Sequence, residues 1–120
     1  MITGVQTIVY EVPDMAAAKA FYSKAFQCQP YFDEVFYIGF SIRGYELGLH
    51  PDNPTTHRVQ NVVAHWGVED IHQTLEHFLS CGAELNDPVQ NVGGELLTAS
   101  VRDPFGNVIG LIYNPDFRVA

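Results

Sequence analysis

The chain has 120 residues, of which 14 are acidic and six are basic, giving a formal net charge of −8. A nucleic-acid-binding surface needs clustered Lys and Arg side chains, which are scattered here, so a nucleic-acid partner is not expected. No apolar run approaches the ~20 residues that a membrane-spanning helix needs. The N-terminal segment lacks the basic region and apolar core of a secretory signal, and two cysteines do not make a disulfide framework. We therefore expect a cytoplasmic globular domain with no membrane segment.

The first half of the sequence predicts one strand, one helix and then three strands. Residues 5–12 are rich in β-branched side chains, and Asp14 is a good N-cap for a helix over residues 15–26. The apolar stripe of this helix consists of Met15, Ala18, Tyr22, Ala25 and Phe26. Further strands are predicted at residues 31–32, 35–42 and 45–50, with turns at Asp33-Glu34 and Arg43-Gly44. Residues 51–56 have the Pro, Asp, Asn and Thr composition of a linker.

The second half predicts the same order of elements. A strand over residues 61–68 precedes Asp70 and Gln73, which have the spacing of a capping box. The following helix has an apolar stripe of Ile71, Leu75, Phe78 and Leu79, and it ends at Cys81-Gly82. Pro88 and Gly93-Gly94 indicate an irregular edge strand. Strands over residues 95–102 and 108–113 flank the turn Asp103-Pro104-Phe105-Gly106-Asn107.

Two short matches show that the chain contains an internal repeat. Val12-Pro13-Asp14-Met15 recurs as Val68-Glu69-Asp70-Ile71, and Leu47-Gly48-Leu49 recurs as Ile109-Gly110-Leu111. Each half has a helix to cover one face of its sheet and needs a partner for the other face. The repeat predicts a single domain over residues 1–120, built from a first module over residues 1–54 and a second over residues 55–120.

The Asp-Pro-Phe-Gly-Asn turn and the two strand-Asp-helix junctions resemble the vicinal oxygen chelate superfamily. This superfamily includes glyoxalases, extradiol dioxygenases, and the fosfomycin and bleomycin resistance proteins. The resemblance covers nearly the whole chain and implies an α+β fold, in which two paired βαβββ modules form a curved sheet around a cavity. Because short members of the family pair their chains, it also implies a homodimer.

The resemblance also indicates where a metal ion would be bound. Metal-dependent members place one ligand on the first and fourth strands of each module, and the matching positions here are Thr7, Gly48, Val63 and Gly110. Glycine and valine have no side-chain donor and threonine is a poor one, so neither a metal ligand nor a cofactor is predicted. An off-register site formed by Glu46, His50 and His65 remains an alternative, although hydrogen-bonded histidines in the cavity wall are the simpler interpretation.

The aromatic segment before residue 46 predicts which side chains face the cavity. Phe36, Ile38, Phe40 and Ile42 alternate onto the face that covers the first helix, which leaves Tyr37, Gly39 and Ser41 on the other face. A ligand-binding and a structural role are equally open for Tyr37 and Ser41. The predicted ligand-binding residues are Tyr37, Ser41, Glu46, His50, Val63 and His65. Glu46 and His50 share one face of their strand and could pair.

The sequence favours a protein that binds a small molecule without a metal, by sequestration or sensing, as the antibiotic-sequestering members of the family do. The net charge is compatible with a cationic ligand, and no catalytic residue is predicted. The alternative is a metal-dependent lyase or dioxygenase with a non-standard ligand set. Cys28 and Cys81 are interpreted as structural, and His72 and His77 as solvent-facing.

Overall fold

A computed structural model describes residues 1–52 and 62–118. The chain divides into two compact units, Met1–Val59 and Gln60–Ala120. The predicted module boundary between residues 54 and 55, and most of the predicted linker, lie outside the described residues, so this boundary stays a prediction. In the described part of the chain, no helix is long and apolar enough to cross a membrane.

The first unit is a four-stranded mixed sheet with one helix. Its elements are β1 (Thr7–Val12), α1 (Met15–Ala25), β2 (Phe32–Glu34), β3 (Tyr37–Ile42) and β4 (Tyr45–Pro51). The strand order is β1-β4-β3-β2, in which β1 and β4 are parallel and the other pairs are antiparallel.

Helix α1 covers one face of this sheet, as predicted. The side chain of Asp14 caps the helix by accepting a hydrogen bond from the backbone N–H of Ala17 at 3.0 Å. Four residues of α1 are buried, Ala18, Phe21, Tyr22 and Ala25, of which Phe21 was not in the predicted stripe. They lie in a core with Ile38 and Phe40. Burying each large apolar side chain contributes roughly 1.5–3 kcal/mol to the stability of the fold.

The prediction of a turn at Asp33-Glu34 is wrong. Those residues belong to β2, and the chain turns at Val35 and Phe36, which are exposed. Asp33 forms an ion pair with Lys19 of α1 at 2.5 Å. The register that buries Ile38 therefore overrides the local turn preference of Asp and Glu, and it places Phe36 outside the core.

The second unit repeats the architecture of the first. Its elements are β5 (His65–Gly67), α2 (Ile71–Ser80), β6 (Glu84–Gly93), β7 (Leu96–Arg102) and β8 (Val108–Tyr113). The order β5-β8-β7-β6, with β5 and β8 parallel, is the order of the first sheet, so the internal repeat and the α+β class are confirmed. Within its described part, the strand predicted over residues 61–68 is only His65–Gly67.

Helix α2 begins and ends close to the predicted residues. The side chain of Asp70 accepts from the N–H of Gln73 at 3.1 Å, and Ile71 and Phe78 are buried against the sheet. Leu79 is 39% exposed, so the apolar stripe is narrower than predicted. His77 is half-buried instead of solvent-facing, and its ring forms a T-shaped pair with Phe78.

The turn between β7 and β8 is held by a buried carboxylate. Asp103 is 4% exposed, and its Oδ1 accepts hydrogen bonds from the backbone N–H groups of Phe105 and Asn107 at 2.9 and 2.7 Å. Its Oδ2 accepts from the side-chain amide of Asn107 at 3.0 Å. Gly106 has φ +94°, a conformation in which glycine carries no steric cost. The residues of this turn therefore have structural roles.

Candidate functional site

Two tyrosines hold a carboxylate on the face of the first sheet that does not pack against α1. The hydroxyls of Tyr31 and Tyr37 donate to the two carboxylate oxygens of Glu46, with a distance of 2.5 Å from Tyr37. Tyr31 precedes β2, Tyr37 begins β3 and Glu46 lies in β4, so three separate segments position the group. We call these three residues the tyrosine–carboxylate cluster.

A pair of glycines makes room for the two aromatic rings. Gly39 and Gly48 are cross-strand partners in β3 and β4. A Cβ atom on Gly39 would lie 3.1 Å from Cε1 of Tyr31, and one on Gly48 would lie 2.7 Å from Cζ of Tyr37. A side chain at residue 48 would displace the Tyr37 ring, and one at residue 39 would press on the Tyr31 ring.

The hydrogen bonds of the cluster shift the pKa values of its members in opposite directions. The hydroxyls of Tyr31 and then Tyr37 stabilise the Glu46 carboxylate and lower its pKa. Burial, followed by the hydrogen bond to Glu46, raises the pKa of Tyr37 to about 12. The hydrogen bond to Glu46 also raises the pKa of Tyr31. At neutral pH the cluster therefore holds one negative charge and two protonated phenols.

A shallow open depression of about 300 Å³ adjoins the cluster. Its lining residues are Tyr31, Ser41, Gly44, Tyr45 and Glu46. Ser41 is the cross-strand partner of Glu46, so its hydroxyl lies on the same face of the sheet. The depression thus presents a carboxylate, hydroxyl groups and exposed aromatic rings to solvent.

His50 lies on the face that carries Glu46 but is not its partner. Its Nδ1 atom is 2.9 Å from the carbonyl oxygen of Pro51, and its side chain is exposed. Both carboxylate oxygens of Glu46 are already engaged by tyrosines. Glu46 and His50 are also four residues apart in β4, about 13 Å along a strand, so the pairing considered from the sequence is not formed.

The remaining two predicted ligand-binding residues belong to the second unit. Val63 precedes β5 and is 41% exposed. His65 begins β5 and is paired with Gly110 of β8, where a Cβ atom on Gly110 would lie 2.8 Å from Cδ2 of the His65 ring. The structure thus brings Tyr37, Ser41 and Glu46 together in the first unit, while Val63 and His65 belong to the second unit.

The positions at which metal-dependent relatives carry ligands do not fit a metal ion here. Gly48 and Gly110 offer no side-chain donor, and their neighbours fill the space: Tyr37 at the first and the Ala64 carbonyl oxygen at the second. Thr7 lies beside Glu46 rather than beside Gly48. Among residues 1–52 and 62–118, no three His, Cys, Asp or Glu side chains are grouped so that they could hold a metal ion.

Sequence reasoning missed two sets of polar residues. Tyr31 was assigned only to a strand, although its contact with Glu46 completes the cluster. In the second unit, Arg102 donates to Oδ1 of Asn86 at 2.9 Å, and Nδ2 of Asn86 donates to Ser100 at 2.9 Å. The aromatic-rich segment was a signal for Tyr31. The Asn86 network joins a bulged edge strand to β7 and had no signal in the sequence.

Two βαβββ units, each with its first strand parallel to its fourth, define the class of paired-module α+β proteins. The model of the Glyoxalase/Bleomycin resistance protein/Dioxygenase superfamily matches residues 4–111, and the chain belongs to this superfamily. Comparison with curated protein sequences gives no significant match.

Solved structures of the superfamily have the same fold. A glyoxalase-related enzyme from Fulvimarina pelagi is 18% identical with a TM-score of 0.80, covering 99% of this chain and 94% of its own. A fosfomycin resistance protein from Listeria monocytogenes is 19% identical with a TM-score of 0.77, covering 97% of both chains. A lactoylglutathione lyase from Agrobacterium tumefaciens is 16% identical with a TM-score of 0.77, covering 97% of this chain and 98% of its own. At these identities the likeness shows the fold alone.

Proposed function

We propose that this chain binds a small molecule carrying a cationic group, without a metal ion, in the depression beside the tyrosine–carboxylate cluster. Binding serves sequestration or sensing and not catalysis. Ser41 and Glu46 line the depression and provide contacts, and Tyr37, which donates to Glu46, is a further proposed contact beside it. His50 lies on the same face of β4. For the second unit, ligand binding by Val63 and His65 stays a prediction from the sequence.

The observation that carries this proposal is the Glu46 carboxylate, which accepts hydrogen bonds from two tyrosine hydroxyls and lies beside exposed aromatic rings. A carboxylate held by two phenols stays ionised, and each of its oxygens has a further lone pair for a donor from a ligand. An ammonium or guanidinium group is also attracted to the face of an aromatic ring, and Tyr31 and Tyr45 line the depression. A few polar groups in an apolar recess are the usual form of a small-molecule site.

The names of the structural neighbours include both resistance and lyase activities. A metal-dependent lyase or dioxygenase is therefore the competing function for this chain. It is the weaker candidate, because Gly48 and Gly110 offer no side-chain donor and neighbouring atoms fill the space beside them.

A thermal-shift screen against cationic small molecules tests the proposal. We expect an amine or guanidinium compound that stabilises the wild type to bind Glu46→Gln about 10–100-fold more weakly, since a hydrogen bond to a charged group contributes about 1.5–3 kcal/mol. Glu76→Gln is the matched control, because it removes the same charge from an exposed position on α2. Equal binding by Glu46→Gln and the wild type would refute the proposed site. A shift that disappears on adding a chelator would favour the metal-dependent alternative.

A further inference from the structure

A cysteine and a histidine lie side by side at the C-terminal end of α2. Cys81 Sγ is 3.8 Å from His77 Nε2, and both side chains are half-buried. The two residues are four apart, so they project from the same face of the helix. This pair is not part of the tyrosine–carboxylate cluster and was given no role by the sequence.

The backbone that carries the pair is fixed by the helix cap. The N–H of Cys81 donates to the carbonyl of His77 at 3.1 Å, and the N–H of Ala83 donates back to Phe78 at 3.1 Å. Gly82, with φ +109°, adopts the left-handed conformation that this type of cap requires. The imidazole of His77 also contacts the ring of Phe78, which is 4% exposed. The cap therefore fixes the backbone of both residues, and their donor atoms lie 3.8 Å apart.

Their separation is close to that of two ligands on one metal ion. Zinc binds cysteine sulfur at ~2.3 Å and histidine nitrogen at ~2.0–2.1 Å, which places the two ligands ~3.5 Å apart in a tetrahedral site. The observed 3.8 Å needs an adjustment of only a few tenths of an ångström. Helical ligands four residues apart are also the arrangement used by the two histidines of the H-E-x-x-H zinc motif.

We propose that His77 and Cys81 form a two-ligand site for zinc or a similar thiophilic divalent ion, with water completing the coordination. The lone pair of Nε2 binds the ion directly. Cys81 binds as the thiolate, so its thiol proton is released to solvent as the sulfur–metal bond forms. Without metal, the same separation corresponds to a weak hydrogen bond between the thiol and the imidazole.

Cobalt titration of the purified, chelator-treated protein tests the site through the thiolate-to-cobalt charge-transfer absorption. We expect one cobalt per chain, loss of the band in Cys81→Ser, and binding weakened more than about tenfold in His77→Ala, since even outer-shell partners of a metal contribute 10–100-fold. Cys28→Ser and His72→Ala are the matched controls and should bind as the wild type does. A missing band, a band that requires Cys28, or unchanged affinity in His77→Ala would overturn the proposal.

A second measurement uses the unmodified chain, so it does not depend on a variant that folds. Zinc should protect Cys81 from alkylation by iodoacetamide, while Cys28 reacts at the same rate with and without the ion. Equal labelling of Cys81 in both conditions would refute the site. Glu46→Gln should leave cobalt binding intact, which separates failure of this site from failure of the proposed function. The ligand screen repeated in Cys81→Ser shows whether any chelator effect arises at α2.

Discussion

Replacing Gly110 by alanine tests whether the surrounding atoms leave room for a side chain at residue 110, where metal-dependent family members carry a ligand. A Cβ atom there would lie 2.7 Å from the Ala64 carbonyl oxygen and 2.8 Å from Cδ2 of His65. The carbonyl cannot easily retreat, because it accepts the N–H of Gly110 at 2.9 Å within the β5–β8 pair. Forcing one carbon into such a contact costs typically 1–3 kcal/mol. At about 4 °C per kcal/mol for a chain of this size, the melting temperature should fall by about 4–12 °C.

Gly67→Ala in β5 is the matched control, because a Cβ atom at that position meets nothing within 4 Å. It should leave stability unchanged or raise it by up to about 1 kcal/mol through the lower entropy of the unfolded chain. Urea unfolding of the wild type and both variants measures the difference directly. Equal stability of Gly110→Ala and Gly67→Ala would refute the argument that residue 110 is closed by its neighbours.

Three further predictions concern the metal position, the cluster and the assembly. Gly110→Glu in a Cys81→Ser background should take up no stoichiometric zinc or nickel, because the other family ligand positions, Thr7, Gly48 and Val63, still contribute no strong donor; tight uptake by metal analysis would contradict this. Tyr37→Phe should raise the pKa of Glu46, which is measured by NMR of its carboxyl carbon. An unchanged pKa would show that the hydrogen bond from Tyr37 does not lower it. Folding raises the pKa of Tyr37 from 10 to about 12, so the protonated Tyr37 contributes its full stabilisation below pH 10 and loses it as pH rises through 12. Between pH 10 and 12 the wild type should therefore lose more stability than Tyr37→Phe. Light scattering should give a homodimer at micromolar concentration, and a monomer mass would exclude it.

The elements that the sequence predicts well depend on contacts between near neighbours in the chain. Asp14 and Asp70 cap helices whose N–H groups are three residues away. Asp103 closes its turn on residues two and four positions further on. Such contacts are determined by residue type and spacing, so the two helices and the last hairpin follow directly from the sequence.

The features that the sequence does not predict depend on distant partners. The contact between Tyr31 and Glu46 depends on the pairing of β3 with β4 and on the space beside Gly39 that the Tyr31 ring occupies. The turn at Val35 contradicts local preference, because the register is set by the burial of Ile38. Among the described residues, strand β5 covers only His65–Gly67, although the apolar run around it is longer. In each case a long-range contact decides between locally similar alternatives.

The Asp103 turn also affects how function can be inferred for related chains. The turn that helps to make this sequence recognisable as a superfamily member contains a carboxylate, which accepts hydrogen bonds from two backbone N–H groups of a tight bend. The residues of this turn lie on a hairpin tip and take no part in the tyrosine–carboxylate cluster. A chain can therefore keep this turn while the positions that carry ligands in metal-dependent members hold residues without a donor. Assigning a reaction to such a chain requires inspection of residues 48 and 110, not of the turn.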